Sequence, residues 1–304
     1  MVKAFGYSRF GGPEVEGFLD LDMPTPMGGE LLIEVRAAGV NPVDWKIRSG
    51  MYGTNVDALP AVLGSEAAGV VLSVSPDVDG FAEGDEVFGA VAPGSGGYAE
   101  NTLLTAAVSA HKPPNVSFTD AAALPVAAGT AYDGVTQLGL QAGQTLLING
   151  ASGGVGVAAA QIARDLAINV IGVAGPDKQA VIESLDATFI SYGGDVERAV
   201  RQVMPDGVDA IFDLAGGDGM RAVAGLLTDR SKLISAGDPS VSELGGHMIE
   251  RDRSRRVLDI VVAMVADGKL DPHVEVVRPL DEAAEALAAV EVGHARGKVV
   301  IQVS

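Results

Sequence analysis

Residues 144–163, QTLLINGASGGVGVAAAQIA, constrain the fold of this 304-residue chain more than any other stretch. An apolar run leads into a glycine-dense turn, and an alanine-rich segment with helical character follows. The order predicts strand, tight loop, helix. The turn carries Gly150, Gly153, Gly154 and Gly156 and has no Walker lysine. Glycines at such a turn let backbone N–H groups at a helix N-terminus reach a pyrophosphate with no side chain in the way. A dinucleotide is the expected ligand, with Ser152, Gly153, Gly154 and Val155 around its phosphates.

Beyond Gln144, strands and helices alternate. Candidate strands are 144–149, 169–173, 188–191, 208–214 and 231–236, and candidate helices are 154–167, 177–186, 194–204, 218–226 and 253–268. Alternation of this kind predicts an α/β fold with a doubly wound parallel sheet and ligands at the carboxyl ends of its strands. The first hundred residues have another texture. Short β-rich runs at 31–40, 67–74 and 85–91, with turn residues between them, point to a compact barrel. Ser117 to Gln137 reads as helical, with Pro125 expected to kink or interrupt it. The tail offers a strand at 274–280, a helix at 281–291 and a strand at 298–303 that could rejoin the first domain.

Composition narrows the function. The formal net charge is −19, with the acids spread along the chain, so nucleic acid is not an expected partner. No apolar stretch reaches the ~20 residues that span a bilayer, and the N-terminus lacks the apolar core of a signal peptide. A cytoplasmic protein without membrane contact is expected. The chain has no cysteine, which excludes disulfides, thiolate catalysis and cysteine-ligated metals. His111, His247, His273 and His294 are far apart and form no ligand pattern, so no metal site is expected.

The end of the second strand of the alternating region bears on the cofactor. NAD sites place an acid there for the adenosine ribose 2′-hydroxyl. Here the strand runs into NVIGVAGPDKQ, with Gly175 at that position and Lys178 beyond it. A missing acid removes repulsion of a 2′-phosphate, a lysine adds attraction, and Tyr192 after the next strand offers a hydroxyl. NADP(H) is the expected cofactor. The alternative is a solvated Lys178 on a helix that Asp177 caps. Leu214 in LAGG (214–217), and Ser235, Ala236 and Gly237 in SAG, would leave room for the nicotinamide end over the strand tips.

Five motifs carry a family resemblance. GVNPVDWKIRSGMYG (39–53), PAVLGSEAAGVV (60–71), LPVAAGTAYDGV (124–135), INGASGGVG (148–156) and RGKVVI (296–301) occur in the same order in zinc-free quinone oxidoreductases. These form the zeta-crystallin-like branch of the medium-chain dehydrogenase/reductase superfamily. The resemblance covers essentially the whole chain. It implies a GroES-like β-barrel catalytic domain from residues 1–115 and 250–304, and a Rossmann NADP-binding domain from 116–249. Zinc-dependent relatives carry a cysteine where this chain has Asn41, a histidine where it has Ser65, and a second cysteine near Val126. Their structural-zinc lobe is replaced by PGSGG (93–97).

The resemblance also implies roles. Asn41 would hydrogen-bond a carbonyl or the cofactor, Tyr52 would lie beside the substrate ring, and Thr130 would contact the cofactor or else serve as a helix-interior hydroxyl. Lys46 departs from the tyrosine common in relatives. It would salt-bridge a cofactor phosphate, polarise a carbonyl oxygen, or face solvent over a packed stem. The expected activity is metal-free, NADPH-dependent hydride transfer to quinones or related conjugated carbonyls, with Asn41, Tyr52 or Lys46 stabilising the developing oxyanion and water supplying the proton. Alternatives are an enone or alkenal C=C reductase of the same superfamily, and a non-catalytic NADPH-binding sensor or structural protein. Relatives often dimerise through the Rossmann domain, so a homodimer is the assembly suggested by analogy.

Overall fold

The structure, a computed structural model, describes residues 1–293 and 297–303. His294 and Arg296 of the sequence reading lie outside the described residues. The chain divides into two compact units. One comprises Met1–Val126, Arg253–Ala266 and His273–Ser304, and the other Ala127–Asp252 and Asp267–Pro272.

The first unit begins with strands β1 (Val2–Tyr7) and β2 (Glu16–Leu21), followed by β3 (Glu30–Val40), helix α1 (Pro42–Arg48), β4 (Ala61–Val62), β5 (Glu66–Val74), β6 (Glu86–Val91), β7 (Asn101–His111) and α2 (Phe118–Ala122). Alternation along β3 turns Leu31, Ile33 and Val35 into the core, where they meet Val71, Val87 and Leu104. β3 pairs with β5, β5 with β6, β6 with β7, and β7 again with the first half of β3. This ring leaves few free strand edges. β1, β2 and β7 are absent from the three β-rich runs read in the sequence. β7 includes Asn101, Ala106, Ala107 and Ala110, and its pairing with two neighbours overrides their weak strand preference.

Pro125 divides the helical region as expected. α2 ends at Ala122, a single π turn spans Leu124–Ala128, and α3 (Gly129–Gln137) follows in the second unit. Proline has no N–H to continue the α ladder, and the wider turn absorbs the break.

The second unit continues with β8 (Thr145–Asn149), α4 (Gly154–Asp165), β9 (Asn169–Ala174), α5 (Gln179–Ser184), β10 (Thr188–Ser191), α6 (Val196–Val203), β11 (Ala210–Asp213), α7 (Gly217–Ala224), β12 (Leu233–Ser235) and β13 (His247–Met248). The strands lie in the order β10-β9-β8-β11-β12-β13, and every neighbouring pair is parallel. β8 is buried throughout, as a central parallel strand covered on both faces must be. The order reverses between β8 and β11, which puts the topological switch point at the tips of those two strands.

The chain then returns to the first unit through α8 (Arg255–Ala266), β14 (Val274–Pro279), α9 (Ala283–Glu291) and β15 (Lys298–Gln302). β15 pairs antiparallel with the second half of β3 and parallel with β14. Between α8 and β14, residues 267–272 join the second unit, where Gln161 exchanges hydrogen bonds of 2.8 Å with the Asp271 backbone. Among the described residues, no helix is long and apolar enough to cross a membrane.

Packing of α3 on the sheet depends on Gly134, where a Cβ would lie 2.4 Å from the Phe212 ring. Gly134→Ala is expected to destabilise the fold by about 1–3 kcal/mol through overpacking. Thermal unfolding checks this, with a melting temperature lower by a few degrees as the outcome.

Candidate active site

In the second unit, the glycine turn expected to hold a cofactor follows β8 at the switch point. Gly150 turns the chain out of β8 with φ +90. At Gly156, a Cβ would stand 2.6 Å from the Cα and carbonyl oxygen of Ala151, so only glycine lets α4 start this close to the turn. No side chain caps α4 at Gly153. Its first-turn N–H groups and helix dipole are thus available to an anion. Ser152, Gly153, Gly154 and Val155 are all half-buried around this point. The turn fits a pyrophosphate.

The end of β9 lies beside it, where the Gly150 and Ala151 N–H groups donate to the Val173 carbonyl. β9 ends at Ala174, and Gly175 leads into a 3₁₀ turn over Pro176–Lys178. Lys178 is buried, with Nζ 3.5 Å from the Asp177 carboxylate, so it is not the solvated helix residue of the alternative reading. The Tyr192 N–H donates to the Ala174 carbonyl at 3.0 Å, which brings Tyr192 alongside the end of β9. Its hydroxyl pKa is pushed up to about 12, by burial first and then by the Asp213 carboxylate, with the Gly150 N–H acting in the opposite sense. At neutral pH it is a neutral O–H donor.

Below the turn lies a polar network absent from the sequence reading. Asp213, fully buried, accepts from Asn149 Nδ2 at 2.7 Å, from Ser235 Oγ at 2.8 Å and from the Gly216 N–H at 3.1 Å. Asn149 and Asp213 are register partners that each end an apolar strand, and a polar residue closing a buried run was the available signal. The network turns Ser235 Oγ inward, while half-buried Ala236 and exposed Gly237 follow at the tip of β12. Leu214 is tied to the tip of β8 by a 2.8 Å hydrogen bond from its N–H to the Asn149 carbonyl. Thr130 is buried on α3, where Arg251 donates to its hydroxyl and also pairs with Asp133 at 2.7 Å.

In the first unit, the expected catalytic residues have different environments. Asn41 is buried at the start of α1. Its Nδ2 donates to Glu66 Oε1 at 2.7 Å, and its Oδ1 accepts from Lys298 Nζ at 2.7 Å. Lys46 is half-buried on α1, with Nζ 5.7 Å from the Trp45 ring centroid. Tyr52 is 65% exposed beyond the end of α1. Next to Asn41, the buried Asp44 carboxylate accepts from Ser65 Oγ at 2.5 Å, Tyr98 O–H at 2.8 Å and the Asn41 N–H at 2.8 Å. Burial raises the Asp44 pKa to about 6 and outweighs these donors, and the nearby Glu66 adds to the rise.

The positions that ligate zinc in metal-dependent relatives do not suit that ion. Asn41 and Ser65 supply an amide and a hydroxyl, and Val126 donates its backbone N–H to Glu66 Oε2 at 2.7 Å. Glu66 Oε1 already faces the Lys298 ammonium at 2.9 Å. Among the described residues, no group of three histidine, cysteine, aspartate or glutamate side chains could hold a metal ion.

Comparison with known proteins identifies the family. Residues 27–114 match the alcohol dehydrogenase GroES-like domain, and residues 180–301 match the zinc-binding dehydrogenase domain. The chain is 31% identical over 317 aligned residues to 2-methylene-furan-3-one reductase of Solanum lycopersicum, covering 99% of this chain and 79% of that protein. It is 39% identical over 180 residues to quinone oxidoreductase of Homo sapiens, a match that spans 59% of this chain and about half (54%) of the human protein. The solved quinone oxidoreductase from Coxiella burnetii aligns with a TM-score of 0.91 at 29% identity, covering 100% of this chain and 99% of that one. The chain belongs to the medium-chain dehydrogenase/reductase superfamily, in its quinone oxidoreductase branch, and is an oxidoreductase of that family.

Asp44 makes stability depend on pH. Its carboxyl holds a proton up to about 6 in the folded chain, against an ordinary value of 3.8. The group therefore favours folding in acid and loses that advantage as pH rises between those values. The stability of wild type minus that of Asp44→Asn, from urea denaturation, is expected to fall by about 2 kcal/mol between pH 4.5 and 7. A difference that stays constant over this range contradicts the assignment.

Proposed function

We propose that this oxidoreductase is zinc-independent, uses NADPH, and reduces quinones and related conjugated carbonyls. The observation that carries the cofactor choice is the end of β9. Gly175 stands where an NAD site has its acid, and the buried Lys178 and the neutral Tyr192 hydroxyl flank it. In this reading the backbone of Ser152–Val155 holds the pyrophosphate, and Lys178 and Tyr192 hold the 2′-phosphate. Leu214, Ser235, Ala236 and Gly237 leave room for the nicotinamide end, and Thr130 contacts the cofactor.

When bound, NADPH supplies a hydride from C4 of its nicotinamide. The Asn41 amide donates to the oxygen on which negative charge develops. Tyr52 covers the flat acceptor from its exposed loop, and Lys46 adds positive charge nearby. Water supplies the proton. Zinc-independence is supported by the donor set at Asn41, Ser65 and Val126, which lacks thiolate and imidazole. Activity that survives a strong chelator, in protein with far less than one zinc per chain, is the expected result.

The second reading, reduction of an alkene conjugated to a carbonyl, has its own support. The Solanum relative is named for a methylene group beside a ring ketone. Initial rates with NADPH against a quinone panel and an enone panel separate the two. Turnover of enones with no quinone reduced overturns the first reading. Lys178→Ala and Tyr192→Phe are each expected to raise the KM for NADPH about tenfold or more, as loss of one hydrogen bond to a charged group does. The KM for NADH should barely move. Equal effects on both cofactors contradict the assignment of these residues to the 2′-phosphate.

A further inference from the structure

Neither the cofactor site nor the proposed oxyanion contact accounts for a lysine and a glutamate buried together at Asn41. Lys298, on β15, and Glu66, at the start of β5, are 4% and 0% exposed. Two buried charges are costly unless each is paired and its remaining hydrogen-bonding capacity is met. Here it is met. The three ammonium hydrogens of Lys298 have three acceptors: Asn41 Oδ1 at 2.7 Å, Glu66 Oε1 at 2.9 Å and the Val40 carbonyl at 3.3 Å. Glu66 Oε1 also accepts from Asn41 Nδ2 at 2.7 Å, and Oε2 accepts from the Val126 N–H at 2.7 Å. The close approach depends on Gly39, where a Cβ would stand 2.1 Å from Glu66 Oε1.

Two consequences follow from the chemistry of these groups. First, Lys298 has no hydrogen to spare, which makes it a poor candidate for the acid that protonates a substrate. Second, the pair settles which way the Asn41 amide points. With the amide reversed, its NH₂ would face an ammonium and its carbonyl a carboxylate. Amide orientation is set by such networks. One Nδ2 hydrogen goes to Glu66. Among the described residues, the only other acceptor near Nδ2 is the Gly39 carbonyl, at 3.5 Å, the far limit of a hydrogen bond. That second N–H is held only by this long contact, which a closer acceptor on a ligand would displace.

We propose that Lys298 is a positioning residue for reduction: with Glu66 it clamps both ends of the Asn41 amide and so fixes the direction in which Asn41 offers its remaining N–H. The clamp ties together Asn41, the residue after Ser65 and the backbone at Val126, the neighbourhood that a zinc ion ties together in metal-dependent relatives. Its kinetic part rests on the reading of Asn41 as a ligand-facing donor. Its structural part does not.

Lys298→Met alone leaves a buried carboxylate without its counter-charge and puts the fold at risk. The Lys298→Met/Glu66→Gln double variant removes both charges together and keeps a hydrogen-bonding group at 66. With this variant, NADPH affinity from fluorescence titration is expected to stay within about twofold, while kcat falls about tenfold or more. Added to Asn41→Ala, the double variant should lower kcat no further than Asn41→Ala does alone, because the clamp acts only through Asn41. Full kcat in the double variant, or losses that multiply when Asn41→Ala is added, overturn the proposal. A third readout needs no turnover. The Asn41 side-chain amide resonances, assigned by their disappearance in Asn41→Ala, should show one hydrogen protected from solvent exchange in the wild type, with exchange faster in the double variant, where the acceptor at 66 is no longer charged or held by the ammonium. Protection equal to that of the wild type overturns the clamp. A wild-type protein that reduces no acceptor refutes the proposed function and leaves this last measurement to judge the clamp alone.

Discussion

The pairing of the last strand with the second half of β3 is the constraint on which the first unit depends. The register sets Val299 against Val40, and this carries Lys298 to the side of Asn41. Once the ammonium is buried there, a carboxylate must meet it, and Glu66 does so from β5. Glu66 then reaches Val126, where the chain leaves the barrel for the π turn. Residues far apart in sequence are thus committed to one another by the cost of leaving a charge alone in a low-dielectric interior.

Glu66, Asp44 and Asp213 are buried carboxylates at the candidate sites, and they are satisfied in different ways. Glu66 has a cation. Asp44 has two hydroxyls and a backbone N–H, and burial prevails, so its proton is held to about 6. Asp213 has an amide, a hydroxyl and the Gly216 N–H, and its charge is felt by the Tyr192 hydroxyl. In each case the donors come from different strands or loops, so the carboxylate orients its neighbours as much as it is stabilised by them.

Much of the fold was legible before the structure. The doubly wound sheet followed from fully apolar runs alternating with helical periods, and the expected helix at 154–167 and strand at 169–173 differ from α4 and β9 by two residues or fewer. The interruption at Pro125 was readable because its cause is local. β7 was not, since its pairing with β3 and β6 has no signature within the strand. At the sites, the glycine turn was legible because backbone freedom is written residue by residue. Lys298 and Glu66 both stood within recognised motifs, yet their partnership spans 232 residues of sequence and shows only when β15 meets β3.

By itself, the sequence determined the strand–turn–helix unit, the absence of thiolate chemistry and the missing acid at Gly175, because each is a property of residue type at one place. Tertiary structure alone decided which charges are buried and what each one faces. It buried Lys178 beside Asp177, left Tyr52 in solvent, turned Ser235 toward Asp213, and oriented the Asn41 amide between an ammonium and a carboxylate. Burial and pairing are relations between distant residues, and no single stretch of chain encodes them.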